Sequence, residues 1–119
     1  MKQQKFRKLL VWQKSMNLIE EIYKVTGYFP KEEVYGLTNQ LRRAAVSIVL
    51  NIAEGCGAET DKEFKRFLNI ALRSSYEVIC GLEVGIRINY GKKTELLAVT
   101  EKCDEISAML SGLKKRISS

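Results

Sequence analysis

Histidine is absent from the 119 residues of this chain, and proline occurs only once. Without histidine the sequence offers no Ser-His-Asp triad, no Cys-His nucleophile pair and no histidine-containing zinc site. A single proline and eight glycines leave few places where a helix must break, which argues against a turn-rich all-β fold. The chain also lacks a phosphate-binding P-loop, a GxGxxG loop and an EF-hand loop. We therefore expect a helical protein with no cofactor and no small-molecule substrate.

Cysteine is scarce as well. Cys56, Cys80 and Cys103 are far apart in the sequence, form no CxxC pair and are odd in number. This pattern argues against a secreted disulfide framework and indicates a reducing, cytoplasmic setting. No apolar run is long enough to cross a membrane, and the basic start lacks the apolar segment of a signal peptide. We expect no membrane contact.

The residues that are present favour one globular domain over 1–119, with 45% hydrophobic and 29% charged residues. Apolar residues recur every three or four positions in four segments, at about 8–27, 35–54, 60–90 and 92–117. Each segment has one apolar stripe that it cannot bury alone, and the links between segments are short. The predicted fold is therefore all-α, an up-down-up-down four-helix bundle.

Several local features refine this prediction. Gly27 is predicted to end the first helix in the left-handed conformation, and Thr60 and Glu63 match a capping box at the start of the third. Gly81 and Gly85 share one helix face, where we expect a neighbouring backbone to approach closely. The core stripe of the first helix is predicted to hold Leu9, Trp12, Met16, Ile19 and Ile22 or Tyr23.

Positive charge exceeds negative charge, with 20 basic against 14 acidic residues. The excess is uneven, because the first ten residues carry four basic side chains and no acid. Such a surface attracts phosphate backbones, although a basic tail also simply improves solubility. The candidate nucleic-acid contacts are Lys2, Lys5, Arg7, Lys8, Arg42, Arg43, Lys65, Arg66, Lys114, Lys115 and Arg116.

Polar residues interrupt the apolar pattern of the second and third segments. Their spacing places them on facing sides of the two helices, where they are predicted to bond one another in a structural polar layer. The layer consists of Arg43, Ser47, Asn51, Glu54, Ser74 and Glu77. The functional alternative is that Glu54 and Glu77 act as an acid-base pair or bind a divalent cation.

The order and spacing of several motifs resemble a known family. These motifs are Phe6-Arg7-Lys8-Leu9-Leu10-Val11-Trp12-Gln13, Tyr28-Phe29-Pro30, Tyr35-Gly36-Leu37, Gln40-Leu41-Arg42-Arg43-Ala44 and Asn51-Ile52-Ala53-Glu54-Gly55. Together they resemble the bacterial four-helix-bundle proteins encoded in intervening sequences of large-subunit ribosomal RNA genes, once described as ribosomal proteins. The resemblance implies an up-down bundle that forms a homopentamer, without an established enzymatic activity. It also implies a similarity in fold to the accessory proteins of diversity-generating retroelements, which are basic pentamers that bind nucleic acid.

The leading hypothesis is a non-enzymatic, self-associating helical bundle that holds RNA or DNA on its basic surface. The second hypothesis is a structural or protein-interaction subunit with no nucleic-acid role. The third is an enzyme built on Glu54 and Glu77, which requires a pocket open to both carboxylates.

Overall fold

The structure, a computed structural model, describes residues 5–117. Within that range the chain forms four α-helices and no strand, which confirms the all-helical prediction. Two 3-10 turns, Lys5–Lys8 and Lys31–Tyr35, precede the first and second helices. The α-helices are α1 (Leu10–Thr26), α2 (Leu37–Cys56), α3 (Asp61–Arg87) and α4 (Lys93–Arg116).

The helices end close to the predicted positions, with two corrections. Gly27 is not left-handed as predicted: its φ of −61° is right-handed, so the helix closes with ordinary backbone bonds to Tyr23 and Lys24. The third helix ends at Arg87 and not at Tyr90, because Asn89 adopts a φ of 63°. Gly91, at a φ of 68°, then completes the turn into α4.

Each helix packs against its neighbours in the chain, and α1 also packs against α4, which closes the bundle. Within residues 5–117, α2 and α4 are diagonal, and no Cα atom of one lies within 8 Å of a Cα atom of the other. The side chains with no more than 1% exposure that fill the centre include Leu18, Ile22, Leu41, Ile48, Ile52, Leu68, Leu82, Leu96, Ile106 and Leu110. Burial of this much apolar surface is the main force that holds the four helices together.

The predicted core stripe of α1 is displaced by about one residue. The side of α1 that faces the core carries Val11, Ser15, Leu18, Ile22 and Val25. Of the residues expected there, Ile22 is fully buried, as one of the two alternatives predicted. Leu9, Trp12 and Ile19 lie at the margin of the core, and Met16 and Tyr23 are exposed. The helix therefore has two adjacent apolar stripes, and the bundle buries only one of them.

Gly81 and Gly85 face side chains and not a neighbouring backbone, which corrects the expectation. A Cβ on Gly81 would lie 2.6 Å from Cδ2 of Leu41, and one on Gly85 would lie 3.2 Å from Cζ of Phe29. Both glycines make room for large apolar residues that pack into the core.

Thr60 begins α3 as predicted, because its hydroxyl accepts a hydrogen bond from the Glu63 amide at 3.1 Å. In a full capping box the Glu63 carboxylate would also accept a hydrogen bond from the Thr60 amide. Here it instead accepts a 2.6 Å hydrogen bond from Nε of Arg66. The Arg66 hydrogen bond lowers the pKa of Glu63 and in turn raises the pKa of Arg66.

None of the four helices described is both long enough and apolar enough to cross a membrane.

Candidate functional site: a basic end and an exposed apolar face

The alternating direction of the helices brings four chain segments to one end of the bundle. The start of α1, the end of α2, the start of α3 and the end of α4 meet there. Lys5, Cys56, Thr60 and Arg116 line one groove at this end. We call this region the basic end, and its charged residues lie in 5–8, 59–66 and 114–116.

The basic end carries the whole positive excess of residues 5–117. Its three segments contain nine basic and three acidic residues, whereas the rest of that range contains ten basic and eleven acidic residues. The long-range field that attracts an anionic polymer therefore originates from one end of the molecule.

The cations of the basic end differ in how tightly the fold holds them. Arg66 is paired with Glu63 and lies over the Phe67 ring at 4.5 Å, and Lys114 donates to the Asn69 side-chain oxygen at 2.9 Å. Lys8 and Lys115 are exposed. The basic end therefore has two cations, Arg66 and Lys114, that are held by hydrogen bonds, and others that extend into solvent.

Eight of the predicted nucleic-acid contacts lie at the basic end, namely Lys5, Arg7, Lys8, Lys65, Arg66, Lys114, Lys115 and Arg116. Lys2 lies outside the described residues. Arg42 and Arg43 are elsewhere, because the middle of α2 is about 20 Å from the basic end at 1.5 Å per residue. The structure therefore divides the predicted set into two groups.

Arg42 serves the fold. Its Nε donates to the Thr26 hydroxyl at 3.0 Å and its Nη2 donates to the Tyr23 carbonyl at 3.3 Å. Its guanidinium carbon also lies 4.4 Å from the centre of the Tyr23 ring. These bonds satisfy groups at the C-terminal end of α1, where a cation also complements the helix dipole.

Three residues of the predicted polar layer come together. The Ser47 and Ser74 hydroxyls are 2.9 Å apart, and the Asn51 amide donates to the Ser47 carbonyl and hydroxyl at 2.8 and 3.1 Å. Arg43, Glu54 and Glu77 are exposed, and none of the hydrogen bonds found within residues 5–117 connects them to the serines. The layer thus satisfies itself with neutral groups, and the exposed Arg43 and Glu77 line one groove beside Ser47 without a hydrogen bond to it.

Glu54 and Glu77 do not share a site. Glu54 lies seven residues beyond Ser47 towards the basic end, and Glu77 lies three residues beyond Ser74 in the opposite direction. At 1.5 Å per residue, the two carboxylates are about 15 Å apart along the bundle axis. A pair of catalytic carboxylates normally lies within about 10 Å. This geometry gives the carboxylate-enzyme hypothesis no common pocket, and the described residues contain no cluster of three potential metal ligands.

A second polar layer, which the sequence did not reveal, crosses from α3 to α4. The Ser75 and Ser107 hydroxyls are 2.7 Å apart, and the Cys103 thiol donates to the Ser75 carbonyl at 3.4 Å. Burial raises the pKa of the Cys103 thiol to about 12, so it stays protonated and unreactive. Serines at core positions of both helices were the available signal, but serine is equally common on helix surfaces.

An apolar face extends along the outside of α1 and α2. Met16 and Tyr23 of α1 are 40% and 46% exposed, and Leu50 of α2 is 59% exposed. Tyr35, in the turn before α2, is 92% exposed, and it lines a groove with Tyr23 and Leu50. Single exposed apolar residues are ordinary, whereas a set sharing one face indicates a contact surface.

Comparisons with known proteins place this geometry in a family. The sequence profile of the 23S rRNA-intervening sequence protein family matches residues 7–112. A crystal structure of a protein with unknown function from the S23 ribosomal protein family of Bacteroides thetaiotaomicron is similar, with a TM-score of 0.80 and 28% sequence identity. The similarity covers 89% of this chain and 99% of that one. No curated protein matches the sequence significantly. The chain belongs to the 23S rRNA-intervening sequence protein family.

Proposed function

We propose that this protein is a non-enzymatic, self-associating helical bundle that binds the backbone of RNA or DNA with its basic end, in the cytoplasm. The observation that carries the proposal is the charge distribution. Nine basic and three acidic residues meet at one end, while the remainder of residues 5–117 is close to neutral. A localised cationic surface of this kind suits phosphate contacts that position a nucleic acid without reading its sequence.

Self-association is the second part of the proposal. The apolar face on α1 and α2 leaves Met16, Tyr23 and Leu50 in water in the isolated chain. Covering this face would remove apolar surface from solvent, which favours assembly. The expected assembly is a homopentamer, by the resemblance described above. A ring would place several basic ends side by side, so that one long polymer could contact more than one of them and bind more tightly.

A salt titration with a structured RNA tests the nucleic-acid part. Fluorescence anisotropy of a labelled RNA duplex should give an affinity that falls linearly with the logarithm of salt concentration, because phosphate contacts release counterions. The triple variant Lys8→Gln, Lys115→Gln and Arg116→Gln should weaken binding. On a duplex it should also reduce the slope by up to about 0.9 for each phosphate that the variant no longer neutralises.

The opposite end of the bundle offers a matched control. Arg87→Gln, Lys92→Gln and Lys93→Gln remove the same number of charges from exposed positions near the link between α3 and α4. This control variant should keep most of the wild-type affinity. Equal losses in the two triple variants would mean that only net charge matters, and no binding at low salt would refute the nucleic-acid part.

The alternative is a protein-interaction subunit with no nucleic-acid role, and the exposed apolar face favours it. Such a subunit would bind its partner equally well after nuclease treatment. Measuring the mass of the wild-type protein in solution with and without nuclease separates self-association from assembly through bound nucleic acid.

A further inference from the structure

The outward side of α2 carries a regular stripe of four residues. Asn39, Arg43, Val46 and Leu50 follow one another at intervals of four, three and four residues, so they lie on one side of the helix. All four line the groove beside Tyr23 and Tyr35. The residues that line this groove include Arg42 and Arg43 and no carboxylate, and Arg43 also lines an adjoining groove with Glu77 of its own chain. Arg42 is engaged in capping α1, whereas Arg43 is exposed and forms no ion pair found within residues 5–117.

The outward side of α4 carries a stripe with the same spacing. Leu97, Glu101, Asp104 and Ala108 are exposed and again follow at intervals of four, three and four residues. Leu97 is 45% exposed, so it offers an apolar side chain on the side of α4 turned away from the core. Across the described part of the chain, neither Glu101 nor Asp104 belongs to an ion pair. This stripe therefore combines an apolar contact with negative charge that has no partner in the isolated chain.

The two stripes are complementary when the helices run antiparallel. In that register Leu50 lies opposite Leu97, Arg43 opposite Asp104 and Asn39 opposite the small Ala108. Glu101 lies opposite Val46. It is about one helical turn along α4 from Asp104, which faces Arg43. Helices that pack nearly antiparallel keep such residues in contact over several turns. In the same register, a contact between two copies of the α2 stripe would place Leu50 opposite Asn39 and Arg43 opposite Val46, so it would offer Arg43 no opposite charge.

We propose that the α2 stripe of one copy packs antiparallel against the α4 stripe of a second copy of this chain. The proposal rests on the self-association proposed above and specifies the two surfaces that meet. Because the surfaces differ, the contact is head-to-tail, and a pair of copies keeps one free α4 stripe on the first copy and one free α2 stripe on the second for further neighbours. Repetition closes a ring if the rotation at each step permits it.

A charge exchange tests the pairing of Arg43 with Asp104. Light scattering after size-exclusion chromatography measures the mass of the wild-type chain, of Arg43→Asp, of Asp104→Arg and of the double variant. Each single variant places like charges across the contact and should raise the dissociation constant at least about tenfold. The double variant restores opposite charges and should recover the wild-type assembly. Arg73→Asp changes the same charge at an exposed position of α3 outside both stripes and should assemble normally.

The outcomes separate this inference from the proposed function. A wild-type chain that stays monomeric at every concentration would refute self-association itself. A wild-type oligomer that tolerates Asp104→Arg, or a double variant that remains dissociated, would refute the pairing of α2 with α4 while self-association stands. Circular dichroism of each variant should match the wild type, because Arg43 and Asp104 are exposed and make no contact that the bundle needs.

Discussion

At the scale of single residues, we expect replacement of glycine by alanine to change the stability of the bundle in opposite directions at two helical positions. Gly81→Ala should destabilise the bundle by about 1–2 kcal/mol, because its Cβ would lie 2.6 Å from Cδ2 and 3.1 Å from Cγ of the buried Leu41. Gly112→Ala should stabilise it by up to about 1 kcal/mol, because no atom lies within 4 Å of the added Cβ and alanine favours the helix. Urea unfolding of both variants measures the difference. A gain in stability for Gly81→Ala would show that Leu41 moves aside without cost.

Arg42 illustrates what a sequence conveys about a single side chain and what it does not. Its charge and its neighbour Arg43 predicted a nucleic-acid contact, and nothing in the local sequence pointed to α1. The structure adds a helix cap, because Arg42 reaches the Thr26 hydroxyl and the Tyr23 carbonyl across sixteen and nineteen residues. Charge is visible in a sequence, whereas the partner that engages it depends on tertiary packing. The hydrogen bond between Ser75 and Ser107 depends on tertiary packing in the same way.

At the scale of helices, periodicity predicted four elements to within a few residues. On α1 it predicted Ile22 correctly but placed most of the other core residues one position too far along the chain. Successive core residues of a helix alternate between steps of three and four, so two neighbouring apolar stripes fit the pattern equally well. Trp12, Met16 and Tyr23 formed the more conspicuous stripe because their side chains are large. The core instead contains Val11, Ser15 and Leu18. Large apolar residues on a helix can therefore lie beside the core and not in it, and their size does not distinguish the two stripes.

One carboxylate links the turn before α2 to the segment between α3 and α4. Glu33 accepts hydrogen bonds from the Leu37 amide at 3.0 Å and from the Tyr90 hydroxyl at 2.8 Å, and these two bonds lower its pKa. A carboxylate with a lowered pKa stabilises the fold above the pKa of the unfolded chain. That contribution is lost as the pH falls through the lower, folded value. Glu33→Gln should therefore be less stable than the wild type at pH 7.

Urea unfolding at neutral and acidic pH measures this effect. The gap in stability between the wild type and Glu33→Gln should shrink as the pH falls below about 4, where the carboxyl of the wild type is also protonated. Glu32→Gln removes a neighbouring exposed charge in the same turn and is the control. A gap that stays constant between pH 7 and pH 3 would show that the charge on Glu33 contributes nothing.

At the scale of the whole molecule, the alternating direction of the helices brings residues that are far apart in the sequence together on two surfaces, the basic end and the apolar face. Basic residues near both termini and at the start of α3 are far apart in the sequence, but the up-down-up-down topology brings them to one end. The same topology sets the apolar face on α1 and α2 along the side of the bundle. A ring built through the sides would leave the basic ends exposed, so self-association and nucleic-acid binding would not compete for the same surface.

Self-association through the apolar face predicts that stability depends on protein concentration. Association stabilises the folded state by mass action, so the wild-type melting temperature should rise as the concentration is increased. Leu50→Asp should abolish most of that dependence, because it places a charge where apolar side chains would meet. It should cost the monomer little, since Leu50 is 59% exposed.

Val84→Asp introduces the same charge at an exposed apolar position of α3 and should keep the dependence of the melting temperature on concentration. Identical melting curves for the wild type at low and high concentration would contradict assembly, whereas a concentration dependence retained by Leu50→Asp would direct the search to another face.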